Sequence, residues 1–501
     1  MKDDIRKRLL ESLLVAAIGI FCVVRFFNLA ADVPARITWS SEIYGDEGLY
    51  VRNAVAKIIT GNWLLPMESN PIVVMPVFQF IEYGFFKIMG MNLFSARFSG
   101  VLFFIGTMIF LYFIYRRFTG SITSLGILVL VSCNHLLFVY SRLALNENLM
   151  LLFAVIAFYL SLIYHKHLLL TLVMPFIIFL AVLAKISALS IWIPVIFMIV
   201  YGDHGFCITA EKLKRIGLSL LFFFILCIAY MILVLRPYHD YGGYYLAIVP
   251  IFPDSMHGIS SVVYAIYKIL RNGYLIMHGI YCIGYVAGIT GMVGIFFLKR
   301  LPCRRLLIAF ALWVIVYAIA GAIGGGYNPP RYYVFTVIPL ISIMGFLMIS
   351  LWSSFSRYIK TIRVFFIVIL LSYVVLNTGR TIVHMVHPEW SFANMAEDIE
   401  QIIRKSQKNA DIITDIVDTF ALASGMLVLN IETGPADKYL KFERYKPNFL
   451  INLGPITDNE GNHQYIADYA VIELLKTYTV FHNHHNGKPV YFYQLTHYND
   501  D

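Results

Sequence analysis

Asp46 and Glu47 stand side by side in Tyr44-Gly45-Asp46-Glu47-Gly48-Leu49-Tyr50, and a third acid, Glu147, closes the stretch Tyr140-Ser141-Arg142-Leu143-Ala144-Leu145-Asn146-Glu147. A carboxylate in such a setting can take a proton from a nucleophile, or it can cap the helix that follows and favour its N-terminal dipole. For Asp46-Glu47, ahead of a helix over roughly Gly48–Ile59, both readings are open. Basic groups accompany the acids: Arg142, Lys185, Arg236 and Arg331. Arg331 lies in Gly324-Gly325-Gly326-Tyr327-Asn328-Pro329-Pro330-Arg331-Tyr332. The glycines let backbone approach a ligand, the prolines stiffen the approach, and the planar guanidinium fork suits a phosphate. The loop Arg236-Pro237-Tyr238-His239-Asp240-Tyr241-Gly242-Gly243 fits a sugar- or lipid-contacting flap, and equally an interfacial aromatic belt.

What must position these residues follows from composition. Of 501 residues, 59% are apolar and 14% charged, against roughly 45–50% and 25% in soluble domains. A soluble fold could not hide that much apolar surface, so the solvent for most of the chain is lipid. Disorder, nucleic-acid binding and a disulfide-stapled fold are disfavoured. The six cysteines (Cys22, Cys133, Cys207, Cys227, Cys282, Cys303) lie singly, with no CxxC spacing. Up to His387 the chain carries 30 Lys and Arg against 14 Asp and Glu; from Pro388 it carries 9 against 16. Two surroundings are implied, a membrane domain over 1–387 and a water-soluble tail over 388–501.

Eleven apolar runs are read as spans: 9–31, 95–115, 121–141, 147–164, 168–185, 187–201, 214–235, 275–298, 306–323, 332–352 and 363–386. A basic start (Lys2, Arg6, Lys7, Arg8) puts the N-terminus inside and the first loop, 32–94, outside. The run 71–90 carries Gln79, Glu82, Lys87, Pro71 and Pro76. If it does not cross, Arg116–Arg117, His165–Lys166, Lys212–Arg215, Lys299–Arg305 and Arg357–Arg363 all face the cytoplasm; if it crosses, all fall outside. The charges select a helix lying along or re-entering the outer interface. Asp46, Glu47 and Glu147 then share the outer face with the basic groups. Arg142 and Glu147 are the only charged residues between Arg117 and Lys166, although at the membrane edge an Arg also serves simply to reach headgroups. The tail reads as a small α/β domain, with helices at 392–407, 419–426 and 465–475 and strands at 411–417, 449–452 and 488–495.

In this order the motifs resemble the GT-C superfamily of glycosyltransferases that use polyprenyl-phosphate sugars, and most nearly its protein mannosyltransferase and lipid A aminoarabinose transferase branch. The matching features are Asp46-Glu47 with Tyr50, a Pro-bearing interfacial helix followed by Ser95-Ala96-Arg97, and Arg116-Arg117-Phe118-Thr119-Gly120. They continue through Ser141–Glu147, Leu183-Ala184-Lys185, and Pro330-Arg331-Tyr332-Tyr333 leading to Pro339. The resemblance covers about residues 1–390. It departs at Glu147, where the branch usually has Asp, and at Ser69-Asn70-Pro71-Ile72, where it has His-Pro-Pro or Lys-Pro-Pro.

The resemblance implies an inverting sugar transfer from a polyprenyl-phosphate donor to a lipid, glycan or protein acceptor, at the outer face of the inner cell membrane. It implies Asp46 as general base, with Glu47 and Glu147 holding the acceptor, Asp46 or the donor. Arg331, Lys185 and Arg142 are the cations for the donor phosphate, and Tyr50, Tyr238, Asp240 and Tyr332 line the substrate loops. No cofactor is required and no metal ligands are indicated, although relatives with other acceptors use a divalent ion. A flippase of lipid-linked sugar and a non-catalytic envelope scaffold are the rival classes. A flippase should show internal repeats, and none is visible in the chain.

Overall fold

A computed structural model describes residues 2–33, 40–68, 70–202, 205–241, 282–297, 303–323, 334–355, 360–406 and most of 412–498. The fold is mostly helical. In chain order the helices before the tail are α1 (Lys2–Val24), α2 (Ser40–Thr60), α3 (Pro76–Met89), α4 (Leu93–Phe118), α5 (Ser121–Cys133), α6 (His135–Tyr140) and α7 (Asn146–Ile163). They continue with α8 (Leu170–Ala184), α9 (Trp192–Val200), α10 (Ala210–Tyr230), α11 (Cys282–Phe297), α12 (Arg304–Ile323), α13 (Val334–Phe355) and α14 (Lys360–Val386). A helix lies over each apolar run of the sequence. Among the described residues, four stretches are long and apolar enough to cross a bilayer: Leu93–Phe118, Asn146–Ile163, Ala210–Leu235 and part of Ile367–Ser406.

The run 121–141 is not one rod. Asn134 ends α5 and caps α6, its side-chain oxygen accepting from the Leu137 N–H at 2.9 Å. Leu9, Leu13 and Ile20 on α1, and Leu221, Phe224 and Ile228 on α10, are exposed, a surface suited to hydrocarbon and too large for water. The interior is aromatic. Tyr115, Phe158, Phe310, Trp313 and Phe335 stack between α4, α7, α12 and α13. Helices α11 and α13 approach closely because Gly288 faces Leu340: an added Cβ would sit 2.8 Å from that residue's carbonyl oxygen.

Helix α3, inside the ambiguous run, has 14 residues and rises about 21 Å, short of a hydrocarbon core of about 30 Å. Two of its polar positions, Gln79 and Glu82, face protein, whereas Lys87 is exposed. Gln79 accepts the Ala54 N–H at 3.0 Å, and the buried Glu82 takes the Ser99 hydroxyl on α4. Burial pushes the Glu82 carboxyl well above its ordinary value. A non-crossing α3 makes a parity prediction. A reporter inserted within 203–211 is expected to read as cytoplasmic and one fused after Asp501 as external. An external reading at 203–211 with a cytoplasmic one after Asp501 would overturn it.

The tail holds α15 (Ser391–Ser406), β3 (Ile412–Thr414), α16 (Val417–Ser424), β4 (Val428–Asn430), α17 (Lys438–Tyr445), β5 (Phe449–Asn452), β6 (Ala470–Val480) and β7 (Lys488–His497); β1 (Tyr201–Gly202) and β2 (Gly205–Phe206) form a separate two-stranded ladder. Five tail strands form one sheet in the order β4-β3-β5-β7-β6. β3 runs parallel to β4 and β5, whereas β7 is antiparallel to β5 and β6. The helix expected at 465–475 is corrected: β6 occupies Ala470–Val480. Val471, Leu474 and Leu475 fit a helical face, but Ile472, Thr477, Thr479 and Val480 are β-branched, and the segment pairs with β7 in a hairpin.

Candidate active site

The site is built where α2, the start of α4 and the segment before α7 meet. An Asn92–Ser95 capping box opens α4, and in the turn that follows Arg97 points inward, 1% exposed. Its Nε donates to Glu47 Oε1 at 2.9 Å and its Nη2 to Oε2 at 2.7 Å, a bidentate pair with a fully buried partner. The other Arg97 nitrogen, Nη1, donates to the carbonyls of Leu29 (2.9 Å) and Ala31 (2.6 Å). Glu47 also accepts the Ala144 N–H at 2.9 Å. One carboxylate thus joins α2, α4 and the 141–145 segment.

That segment lies hard against α4 because position 100 is glycine: a Cβ there would fall 2.6 Å from the Leu143 carbonyl oxygen. Three residues beyond Ala144, Glu147 sits in the first turn of α7, where the helix dipole favours a carboxylate. Its Oε1 takes Lys185 Nζ, from the residue that ends α8. Asn146 Nδ2 donates to the Ala184 carbonyl at 2.7 Å and tightens the same junction. The Lys185 side chain is 13% exposed, against 3% for Glu147, so of this pair the ammonium is the reachable end. Two acid–base pairs, Glu47–Arg97 and Glu147–Lys185, are therefore linked by the stretch 144–147.

The other residues selected from sequence fall out as follows. Asp46 lies in α2 beside Glu47, its side chain outside the described residues; Arg331 and Tyr332 lie outside them altogether. Tyr50 is buried one turn after Glu47. Arg142 is buried, its Nη2 donating to the carbonyls of Phe27 (2.7 Å) and Asn28 (2.6 Å), its guanidinium 4.9 Å from the Phe138 ring centre. Tyr238 and Asp240 stand exposed in the turn after α10, which meets the first loop where Asn70 N–H donates to the Tyr241 carbonyl at 3.1 Å. Among the described residues, no group of three His, Cys, Asp or Glu side chains is placed to hold a metal ion.

Sequence reasoning does not select Arg97 as a partner of the acids, although a lone Arg in the opening turns of an apolar helix is the available signal. Nor does it select Asn70, which staples the first loop. The Asn70 side-chain oxygen accepts from Leu65 N and from Asn53 Nδ2, both at 2.8 Å.

Asp32 is a third residue that sequence reasoning misses. Its carboxylate caps α15, accepting from the Ser391 hydroxyl (2.7 Å) and the Phe392 N–H (3.2 Å). Burial pushes this carboxyl up to about 6, against those two hydrogen bonds, which pull it down.

Residues 69–233 match the family model of the dolichyl-phosphate-mannose-protein mannosyltransferases. None of the curated proteins matches the chain. The fold is similar to that of ArnT from Cupriavidus metallidurans, crystallised bound to undecaprenyl phosphate: TM-score 0.57, 12% identity, 96% of this chain and 97% of that one covered. It is also similar to the oligosaccharyltransferase AglB from Archaeoglobus fulgidus in complex with an inhibitory peptide and a dolichol-phosphate. There the TM-score is 0.51 at 9% identity, covering 88% of this chain and 69% of AglB.

Proposed function

We propose that this membrane glycosyltransferase of the GT-C superfamily moves a sugar from a polyprenyl-phosphate carrier to a lipid, glycan or protein acceptor on the extracytoplasmic side, with eleven spans and the tail on that same side. The observation that carries the reading is the acidic turn of α2, tied through Glu47, Arg97 and Ala144 to the Lys185–Glu147 pair. It supports a site in which Glu47 and Glu147 are held by Arg97 and Lys185, and this reading gives the proton transfer to Asp46. The acceptor hydroxyl or amine attacks the anomeric carbon, and the bond from that carbon to the phosphate oxygen breaks with inversion. The electron pair leaves on the polyprenyl phosphate. Asp46 takes the acceptor's proton, an assistance worth about 10²–10⁴-fold.

A phosphate leaves with little need of a proton, but its charge needs cations in a low-dielectric site. Lys185 and Arg331 supply them. Glu147 orients Lys185, Glu47 holds the turn that carries Asp46, and Arg142 braces the chain just after α1. Tyr50, Tyr238, Asp240 and Tyr332 border the substrates. This scheme is written without a divalent ion: Glu47 and Glu147 are paired with Arg97 and Lys185.

Mass spectrometry of envelope glycolipids and glycoproteins, with and without the gene, tests the reading. One sugar-bearing species should vanish, with its polyprenyl-phosphate donor accumulating. An unchanged inventory would overturn it. Within the scheme, Arg331→Ala is expected to lower donor use by about 10- to 100-fold, the value of a charge-assisted pair. Arg331→Lys should recover part of the loss, because a point charge lacks the fork. Wild-type rates for the Ala variant at subsaturating donor would remove Arg331 from the site.

A further inference from the structure

The first outer loop is gripped from the tail at three places. At its start, Asp32 N–H donates to the Glu389 carbonyl at 2.8 Å while the Asp32 carboxylate caps α15. Midway along it, the buried Glu68 takes both Arg52 and Lys441, the latter at 3.1 Å, and Tyr445 Oη donates to the Pro66 carbonyl at 2.8 Å. Burial pulls the Lys441 ammonium below its ordinary value while Glu68 pulls it up. Between these anchors, α16 lies along α2 and touches α4. There the fully buried Thr419 turns its Oγ1 toward the acidic turn and accepts the Gly48 N–H at 3.2 Å. Gly48 directly follows Glu47. A side-chain oxygen seated on the backbone amide of that turn ties it to α16, two positions along the chain from Asp46.

We infer that Thr419 is a positioning residue for the sugar transfer: through the Gly48 amide, the tail sets the orientation of the turn bearing Asp46. This rests on the reading of Asp46 as the base. The Gly48 amide lies inside α2, so the buried Thr419 oxygen is a second, tertiary acceptor beside its helical one, and removing it takes away the tie between this turn and α16. Local opening of the turn then becomes easier while the rest of the fold stands. Thr419→Val is nearly isosteric and removes the acceptor; Thr419→Ser restores it.

Two measurements on the purified full-length protein test the proposal. In the first, hydrogen–deuterium exchange is followed without any substrate. Amides in the peptide covering residues 44–52 are expected to exchange on the order of tenfold faster in Thr419→Val and at the wild-type rate in Thr419→Ser. Peptides of α7 and of the tail sheet should be unchanged. In the second, consumption of polyprenyl-phosphate-linked sugars in the cell's own lipid extract is followed by mass spectrometry. Thr419→Val should lower kcat about tenfold with little change in KM for the donor, and Thr419→Ser should recover the rate. Wild-type exchange at 44–52 in the Val variant would overturn the inference, as would faster exchange there with an unchanged kcat. Loosening across the whole tail would also overturn it, since Thr419 would then be a packing residue. An active Asp46→Asn protein in the same assay would instead remove the base and leave the exchange result standing.

Discussion

Asp46→Asn is expected to insert and fold as the wild type does and to lose roughly 10²-fold or more in turnover. The substitution is close to isosteric, keeps an oxygen able to cap a helix, and removes the charge and the proton-accepting capacity. Asn caps about as well as Asp, so a purely capping Asp46 would leave an Asn variant stable and fully active. Initial rates with purified donor and acceptor separate the two cases. Full activity would sink the catalytic assignment, whatever the likeness of fold.

The second large effect falls on stability. Glu47→Gln removes the charge that balances Arg97, a guanidinium 1% exposed with its remaining nitrogen committed to two carbonyls. Breaking a buried pair from one side costs about 3–5 kcal/mol, because the surviving charge stays desolvated. From the sequence, Glu47→Gln reads as the milder of the two substitutions, and in the chemical step it remains so. In folding it is expected to be the harsher. Thermal unfolding in detergent should show a clearly lowered midpoint for Glu47→Gln and partial recovery on adding Arg97→Met, which trades the stranded charge for an apolar side chain. A wild-type midpoint for the single variant would mean that the pair is not shielded as the geometry has it.

The helices are legible because apolar runs of bilayer length have few alternatives, and α15 and β5 because amphipathic and β-branched patterns are local. The break at Asn134 is not. A polar residue inside an apolar run signals a cap only once Leu137 N is seen to lack a helical partner. β6 reads wrongly as a helix because Val471, Ile472, Leu474 and Leu475 satisfy a helical face, and the choice is made by pairing with β7 further along the chain. In the site, residue types point to the acids and to Lys185, whereas the pairings are hidden. Glu47 finds Arg97 fifty positions away and Glu147 finds Lys185 thirty-eight away. No spacing rule reaches that far. Which basic residue holds Glu47 and which holds Glu147 is decided by tertiary packing.

The grip of the tail on the first loop has a consequence for how the protein is made. Asp32 and Ser391 are 359 positions apart, Gly48 and Thr419 371, and Glu68 and Lys441 373. Synthesis runs from the N-terminus, so the loop is delivered early and its partners arrive last. Until then Asp32 has no helix to cap and Glu68 faces Arg52 without Lys441. The order of synthesis alone makes docking of the tail a late step in biogenesis. A half-made chain, on this account, threads its bundle into the bilayer with the turn at Gly48 still lacking its partner from the tail.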